Sequence, residues 1–336
     1  MYNLNNKELT TLRTSEFILS LLSAFNTQID YCLVRGGIKD LNPLTSDVDI
    51  IINKKDYYFF YNLLEIKQEE LNFKIINTIK RQYVYTHILY LVDDKVFTQI
   101  DTEFNFDWRG FVIMNSSTIL NRKILNNEGV FVAESKDISI MKLYRSLFWG
   151  QRISKKYASQ NIVFDKKYLE TNSSIELESN QIVSKLIEYY STETKSKVKM
   201  LRKKLIKANF KLNKIKTVLK FLDFFLTEIK LFRSNNGVRL FISGEESLKL
   251  DFTNKLKEYI DFFNAPFKSH IIETNLNYVQ KRKKMRDSFV IFMTSPNKSD
   301  YKIDVAENEI FILDNTQKKI SFSNQNINEI INYIYK

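Results

Sequence analysis

Asp47 and Asp49 stand at alternate positions around Val48, at the head of the apolar run that continues to Ile52. Asp47 falls ten residues after the pair Gly36-Gly37. In an extended strand alternate side chains share a face, so the two carboxylates project together while Val48 points away. Two such anions repel each other unless a cation lies between them. Oxygen donors suit a hard cation, and Mg²⁺ carrying a nucleotide's phosphates is the one that phosphoryl-transfer chemistry uses. The two glycines fit the same chemistry: without a Cβ the backbone can approach phosphate, and its N–H groups can cradle it. A third carboxylate from a neighbouring strand would complete a two-metal arrangement, in which one metal stabilises the leaving pyrophosphate and the other activates an attacking hydroxyl. Asp101, in the run Thr98 to Phe104, is the candidate, with Glu103 in reserve two residues on and on the same face. The competing reading of Asp47 and Asp49 is a strand end whose carboxylates face solvent or cap a loop.

Other residues could serve such a site. Arg35 and Arg109 could bind phosphate, and Trp108 could stack a base or sugar; the alternatives are salt bridges and a core aromatic. Lys142 and Arg145 lie three residues apart, on one face of a helix, and could also meet phosphate. His87 and His270, the only histidines, are far apart and define no zinc cluster. His87 sits in an apolar strand pattern and is expected to be structural. Cys32, the single cysteine, lies in an apolar run and reads as a small buried hydrophobe.

These side chains need a scaffold. Apolar spacings of three and four predict helices over 9–27 and 55–72, and further helices near 116–126 and 137–149. Strands are expected at 30–36, 47–52, 73–79, 86–92 and 96–104, the last two joined by an Asp93-Asp94-Lys95 turn. Residues 156–183 are polar and show no clear period. Residues 184–232 read as helical, and Gly237 marks a boundary. Beyond it, strands at 238–244, 288–294 and 309–313 and helices at 252–263 and 327–335 suggest a small α/β domain with a partly parallel sheet.

The order apolar–Gly–Gly, spacer, Asp–x–Asp and a later acid strand resembles the nucleotidyltransferase superfold of the DNA polymerase β type. Gly36, Gly37, Asp47 and Asp49 match its signature position by position; Asp101 matches the third acid more loosely, because Thr102 follows it where the family usually has an apolar residue. The resemblance narrows to a bacterial group of nucleotidyltransferase-like proteins. It is carried by Leu33-Val34-Arg35-Gly36, Pro43, Ser46, Ile100-Asp101-Thr102-Glu103-Phe104, Trp108-Arg109-Gly110, Ile119-Leu120-Asn121-Arg122 and Met141 to Trp149. It covers roughly residues 28–157. It implies metal binding and catalysis by Asp47, Asp49 and Asp101, and nucleotide binding by Arg35, Gly36, Gly37 and Ser46. Members of that group tend to be encoded with surface-polysaccharide assembly genes, and many are fused to a domain resembling thymidylate kinase.

Val238 to Ile260 stands where such a kinase-like domain would begin. Gly244 matches the first glycine of a phosphate-binding Gly-x-x-x-x-Gly-Lys-Ser/Thr loop, but Ser247 to Asp251 supply no second glycine and only an isolated Lys249. Later segments, Phe289 to Pro296 and Ile310 to Thr316, are similar to core strands of that fold. The expected architecture is therefore an α+β nucleotidyltransferase-fold domain over 1–157, a helical basic connector over 158–235, and a small α/β P-loop-like domain, degenerate at its phosphate loop, over 236–336. Glu245, Glu246 and Lys249 are given no catalytic role.

Composition bounds the rest. The chain has 336 residues and a formal net charge of +12. One cysteine allows no intrachain disulfide framework, and the start of the chain shows no charged-then-apolar export pattern, so a reducing, cytoplasmic setting is expected, with peripheral residence at an inner membrane surface as an extension. The most apolar stretch, Phe221 to Phe232, contains Asp223, Glu228 and Lys230, which argues against a membrane span. Lys195 to Lys220 contains no Asp or Glu, and could meet a membrane-surface or complex partner; a solvated helix face is the plainer reading. The function expected is Mg²⁺-dependent transfer of a nucleotidyl or phosphoryl group from a nucleoside triphosphate to a sugar or glycan intermediate, in surface-polysaccharide biosynthesis. The alternatives are a non-catalytic scaffold of a glycan-assembly complex and, from the charge, a nucleic-acid-directed nucleotidyltransferase.

Overall fold

The structure is a computed structural model. It describes residues 7–34, 37–38, 43, 46–108, 111–149, 167–168, 171, 195–212, 214–233, 238–261, 269–272, 280, 290–293, 299–307, 309–314, 319–323 and 327–334. The domain limits expected at 157/158 and 235/236, and Gly237, lie outside these residues.

The first half is built on a sheet of seven strands in the order β3-β4-β5-β2-β1-β9-β8. Its centre is β1 (Tyr31–Leu33), β2 (Val48–Ile52) and β5 (Val96–Glu103). β2 runs antiparallel to β1 and parallel to β5. β3 (Phe73–Lys80) and β4 (Val84–Leu91) extend the sheet beyond β5 as an antiparallel meander, and β8 (Ile124–Leu125) and β9 (Phe131–Val132) close the other edge. The meander agrees with the strands expected at 73–79, 86–92 and 96–104 and with the turn expected at Asp93-Asp94-Lys95. The β4–β5 turn places Lys95 at φ 56°, left-handed backbone that tightens the reversal.

Every residue of β2 is buried, because helices and a hairpin cover both faces of the sheet. Val48, Ile50, Ile52 and Ile100 face one apolar core together with α1 (Lys7–Phe25) and α2 (Tyr57–Glu70). The buried residues Ile18, Leu21, Leu22 and Phe25 recur at i, i+3, i+4 and i+7, which is why 7–25 forms a helix laid on this face. Cys32, Val34 and Ile51 face a second core, formed by the β6–β7 hairpin (Asn105–Trp108, Phe111–Asn115), α3 (Ser116–Leu120) and α4 (Ser135–Trp149).

The helix expected over 116–126 is corrected. It ends at Leu120, and Ile124 and Leu125 form a strand paired with Val132 and Phe131. Two side chains end it. Arg122 reaches Asp137 through Nε at 3.0 Å and Nη2 at 2.6 Å, and the Asn126 side-chain oxygen accepts from the backbone N–H groups of Glu128 and Val130 at 3.0 and 3.1 Å, folding the chain back. The β6–β7 hairpin and the β8–β9 pair have no counterpart in the sequence reading.

Two long helices follow, α5 (Lys195–Leu212) and α6 (Lys214–Arg233). Leu201 and Leu205 of α5 join the second core. The C-terminal part is a six-stranded mixed sheet in the order β11-β12-β10-β13-β14-β15. Its strands β10 (Val238–Gly244), β11 (Ser269–Ile272), β12 (Val290–Met293) and β13 (Tyr301–Val305) are parallel, and β14 (Glu309–Asp314) and β15 (Lys319–Ser323) are antiparallel additions. Three of these strands, β11, β13 and β15, were not expected from sequence. Helix α7 (Glu246–Asp261) begins six residues earlier than the predicted 252–263, and α8 (Ile327–Ile334) matches the predicted last helix within a residue. The apolar core of the first sheet is continuous with that of the second, and the Tyr259 hydroxyl of α7 donates to the Lys95 carbonyl at the β4–β5 turn, 2.6 Å away.

Candidate functional site

The parallel pairing of β2 with β5 builds the site. The register sets Asp49 beside Asp101 and Ile51 beside Glu103, so Asp49, Asp101 and Glu103 point to the same face, towards the second core. Asp47, just before β2, joins them: one carboxylate oxygen from each of Asp47, Asp49 and Asp101 lies within 4.8 Å of the other two. Among the described residues this is the one such group of potential metal ligands. Sequence reasoning therefore named three acids from two separate strands that the fold brings together.

Their surroundings are unusual for anions. Asp49 is 4 % exposed. Burial, and next the charge of Asp49, hold the Asp101 carboxyl well above the usual carboxylate range, against a hydrogen bond from Gln99 Nε2 to Asp101 Oδ1 at 2.7 Å. Glu103 is also pushed up, mainly by burial, with Arg145 pulling the other way. A cation beside Asp101 would stabilise the charged form that burial and Asp49 disfavour. The all-oxygen donor set fits a hard divalent ion such as Mg²⁺.

Arg145 of α4 is the nearby counter-charge. Its Nη1 lies 3.6 Å from Asp49 Oδ2, its Nη2 lies 3.2 Å from Glu103 Oε1, and its guanidinium sits 5.8 Å from the Phe106 ring centroid. The expectation that Arg145 belongs to the site thus has a geometric basis, though its partners here are acids. Lys142, one turn earlier, is half-buried. Glu103 is placed less as a third ligand than as the anchor of Arg145.

The glycine loop meets the sheet next to the acids. Gly37 is buried, and a Cβ there would lie 2.8 Å from Glu128 Oε2. That same oxygen accepts from the Ile38 N–H at 2.7 Å, so the β8–β9 turn grips the loop, and a side chain at position 37 would push the Glu128 carboxylate aside. The Thr98 hydroxyl donates to the Pro43 carbonyl at 2.9 Å and holds the loop's far side. Ser46 is half-buried immediately before Asp47. Arg35, Gly36 and Arg109, expected at the site, lie outside the described residues. Glu128 and Gln99 are contributors that sequence reasoning missed. The alternation of Gln99 with Asp101 was a signal for the second; nothing local marked the first.

Trp108 belongs to an aromatic cluster, its ring 5.1 Å from Phe148 and 6.3 Å from Phe221, with the Arg202 guanidinium 5.8 Å away. The core-aromatic alternative describes this placement. His87 is fully buried on the opposite face of the sheet among Tyr57, Phe60 and Tyr61. Burial lowers its pKa to about 3, so it is a neutral core residue. Burial likewise pushes the Cys32 thiol up to about 12, which leaves no thiolate for chemistry at neutral pH.

In the C-terminal sheet, Glu245 alone separates the last residue of β10 from the first of α7. The stretch read as a failed phosphate loop is the first turn of a helix. Gly244 is needed for another reason: it has φ +127°, and a Cβ there would come within 2.3 Å of the Val305 carbonyl on β13. Glu246 opens the helix where an anion would bind, and it holds Lys249 Nζ at 3.0 Å.

Searches of family models, of curated proteins and of solved structures found no match to this chain.

Proposed function

We propose that this chain is a Mg²⁺-dependent transferase acting on a nucleoside triphosphate through the Asp47, Asp49 and Asp101 cluster. The observation that carries the reading is the convergence of three carboxylates, one of them buried, at the junction of two parallel strands beside a glycine loop. The antiparallel β1–β2 pair, with the glycines in its connection, supports the resemblance to polymerase β-type nucleotidyltransferases. Bound there, the metal would screen the phosphates and stabilise charge on the leaving group.

The chain's own residues have separable tasks. Asp47, Asp49 and Asp101 would hold the cation, with the glycine loop beside them for phosphate. In nucleotidyl transfer the acceptor oxygen bonds to the α-phosphorus, the bond to pyrophosphate breaks, and the acceptor's proton must leave; in this reading Asp101 also receives it. A sugar or glycan-type acceptor in surface-polysaccharide biosynthesis rests on the resemblance alone. The C-terminal sheet is given no task in this chemistry: the loop after β10 lacks a second glycine and carries Glu245 and Glu246 where phosphate would sit.

Calorimetric titration with ATP, CTP, GTP and UTP, with and without Mg²⁺, tests the reading. Metal-dependent binding of at least one nucleotide, weakened by a factor of about a hundred in Asp47→Asn/Asp49→Asn, is expected. A second reading, a non-catalytic interaction protein, is favoured by Arg145, which already supplies positive charge to Asp49 and Glu103. It is the reading left standing if none of the four nucleotides binds.

A further inference from the structure

Helix α6 has two apolar faces. One turns to the body of the protein, where the Phe221 ring lies 6.3 Å from Trp108 and the Phe224 ring 6.3 Å from Tyr83. Gln82 Nε2 fixes that face by donating to the Lys220 carbonyl at 3.0 Å and to Asp223 Oδ2 at 2.7 Å. On the other side Val218, Leu222, Phe225 and Ile229 recur at i, i+4, i+7 and i+11, with Leu219 and Leu226 alongside, and each is between 40 % and 60 % exposed. A surface helix ordinarily carries polar residues there. A contiguous exposed apolar stripe marks an interaction site.

Helix α5 packs against α6 and exposes Lys199, Lys203, Lys204 and Lys207. No Asp or Glu occurs from Lys195 to Leu222, and the first acid after that, Asp223, is tied to Gln82. Asp223 and Glu228 are the only acids in the sequence of the two helices, so the exposed chemistry of the pair is chiefly apolar and cationic.

We propose that α5 and α6 form a peripheral docking surface for an anionic lipid bilayer, with the α6 stripe at the boundary of headgroups and acyl chains and the α5 lysines at the lipid phosphates. The combination selects this occupant. A nucleic acid would use the lysines but leave six apolar side chains in water. A second copy docked across a two-fold axis would bring two lysine-rich helices towards each other. Among the described residues no helix is long and apolar enough to cross a membrane, so α6 lies on the bilayer.

Flotation of the full chain with vesicles tests this, comparing phosphatidylcholine alone with an equimolar mixture of phosphatidylcholine and phosphatidylglycerol, at low and high salt. Binding to the mixed vesicles, lost in high salt and weak on phosphatidylcholine alone, is expected. Lys203→Ala/Lys204→Ala should weaken it roughly 25-fold, about fivefold per lysine. Leu222→Gln/Phe225→Gln should weaken it at least about tenfold while circular dichroism shows the chain still folded. Four results would overturn the proposal. Wild type could remain in the unfloated fraction at low salt. Vesicle binding could persist unchanged in the glutamine variant. Sedimentation could reveal a dimer that the glutamine variant dissociates, assigning the stripe to a second copy. Or the alanine variant could lose RNA binding while keeping its vesicle affinity.

Discussion

At the scale of single residues, the same strand register that gathers the acids on one face of the sheet sends His87 to the other, and the two faces treat charge in opposite ways. Asp47, Asp49 and Asp101 lie close enough together to share a cation. His87 is packed so that it cannot become charged at all. Its Nδ1 lies 3.2 Å from the Thr78 hydroxyl, while its Nε2 is buried with no hydrogen-bond partner among the described residues. The linkage follows from the direction of the shift: the unfolded chain takes up a proton below the ordinary value of 6.5, the folded chain only near 3, so this residue subtracts stability progressively across that window. The slope approaches about 1.4 kcal/mol per pH unit. Urea unfolding of wild type and His87→Phe should therefore show the variant gaining about 2 kcal/mol on wild type between pH 7 and pH 5. A difference that stays flat over that range would mean His87 is solvated in the folded chain.

At the scale of elements, the turn after α3 determines how α4, and with it Arg145, meets the acid strands. Asp137 is fully buried and is held by Arg122 and by the Tyr168 hydroxyl at 2.9 Å. Burial raises its pKa in spite of those partners, as expected where desolvation outweighs the attraction within an ion pair. Removing one partner of such a pair is costly, because the other charge stays buried. Arg122→Ala should lose roughly 3–5 kcal/mol in urea unfolding at pH 7; a loss under about 1 kcal/mol would show that Asp137 finds water. This turn is also where sequence reasoning failed, for a physical reason. Ile119, Leu120, Ile124 and Leu125 have helical spacing, but the last two are exposed strand residues, and a pairing of two residues with two leaves no alternation to detect. The long β4–β5 hairpin was legible because two apolar runs of strand length flank the Asp93-Asp94-Lys95 turn. The acid cluster was legible because its chemistry depends on residue type and on strand periodicity. The grip of Glu128 on the glycine loop depends on a contact across 90 residues of chain, which no local pattern carries.

At the scale of the whole molecule, the two sheets share one continuous apolar core, and the β4–β5 hairpin that carries Asp101 is held at its tip by Tyr259 of the second sheet's helix. The C-terminal sheet thus buttresses the strand that supplies the third acid. The net charge of +12 is unevenly spread, with the basic helices beside the first sheet and the acid cluster within it, so overall charge is a poor guide to what the site binds. The most direct test of the cation site is an electron paramagnetic resonance titration with Mn²⁺, on wild type and on Asp49→Asn and Asp101→Asn chains shown by circular dichroism to be folded. Saturable binding to wild type, weakened at least about tenfold by either substitution, is the expected result. Binding that is absent from wild type even with nucleotide present, or equal in all three chains, would contradict a metal site at Asp47, Asp49 and Asp101.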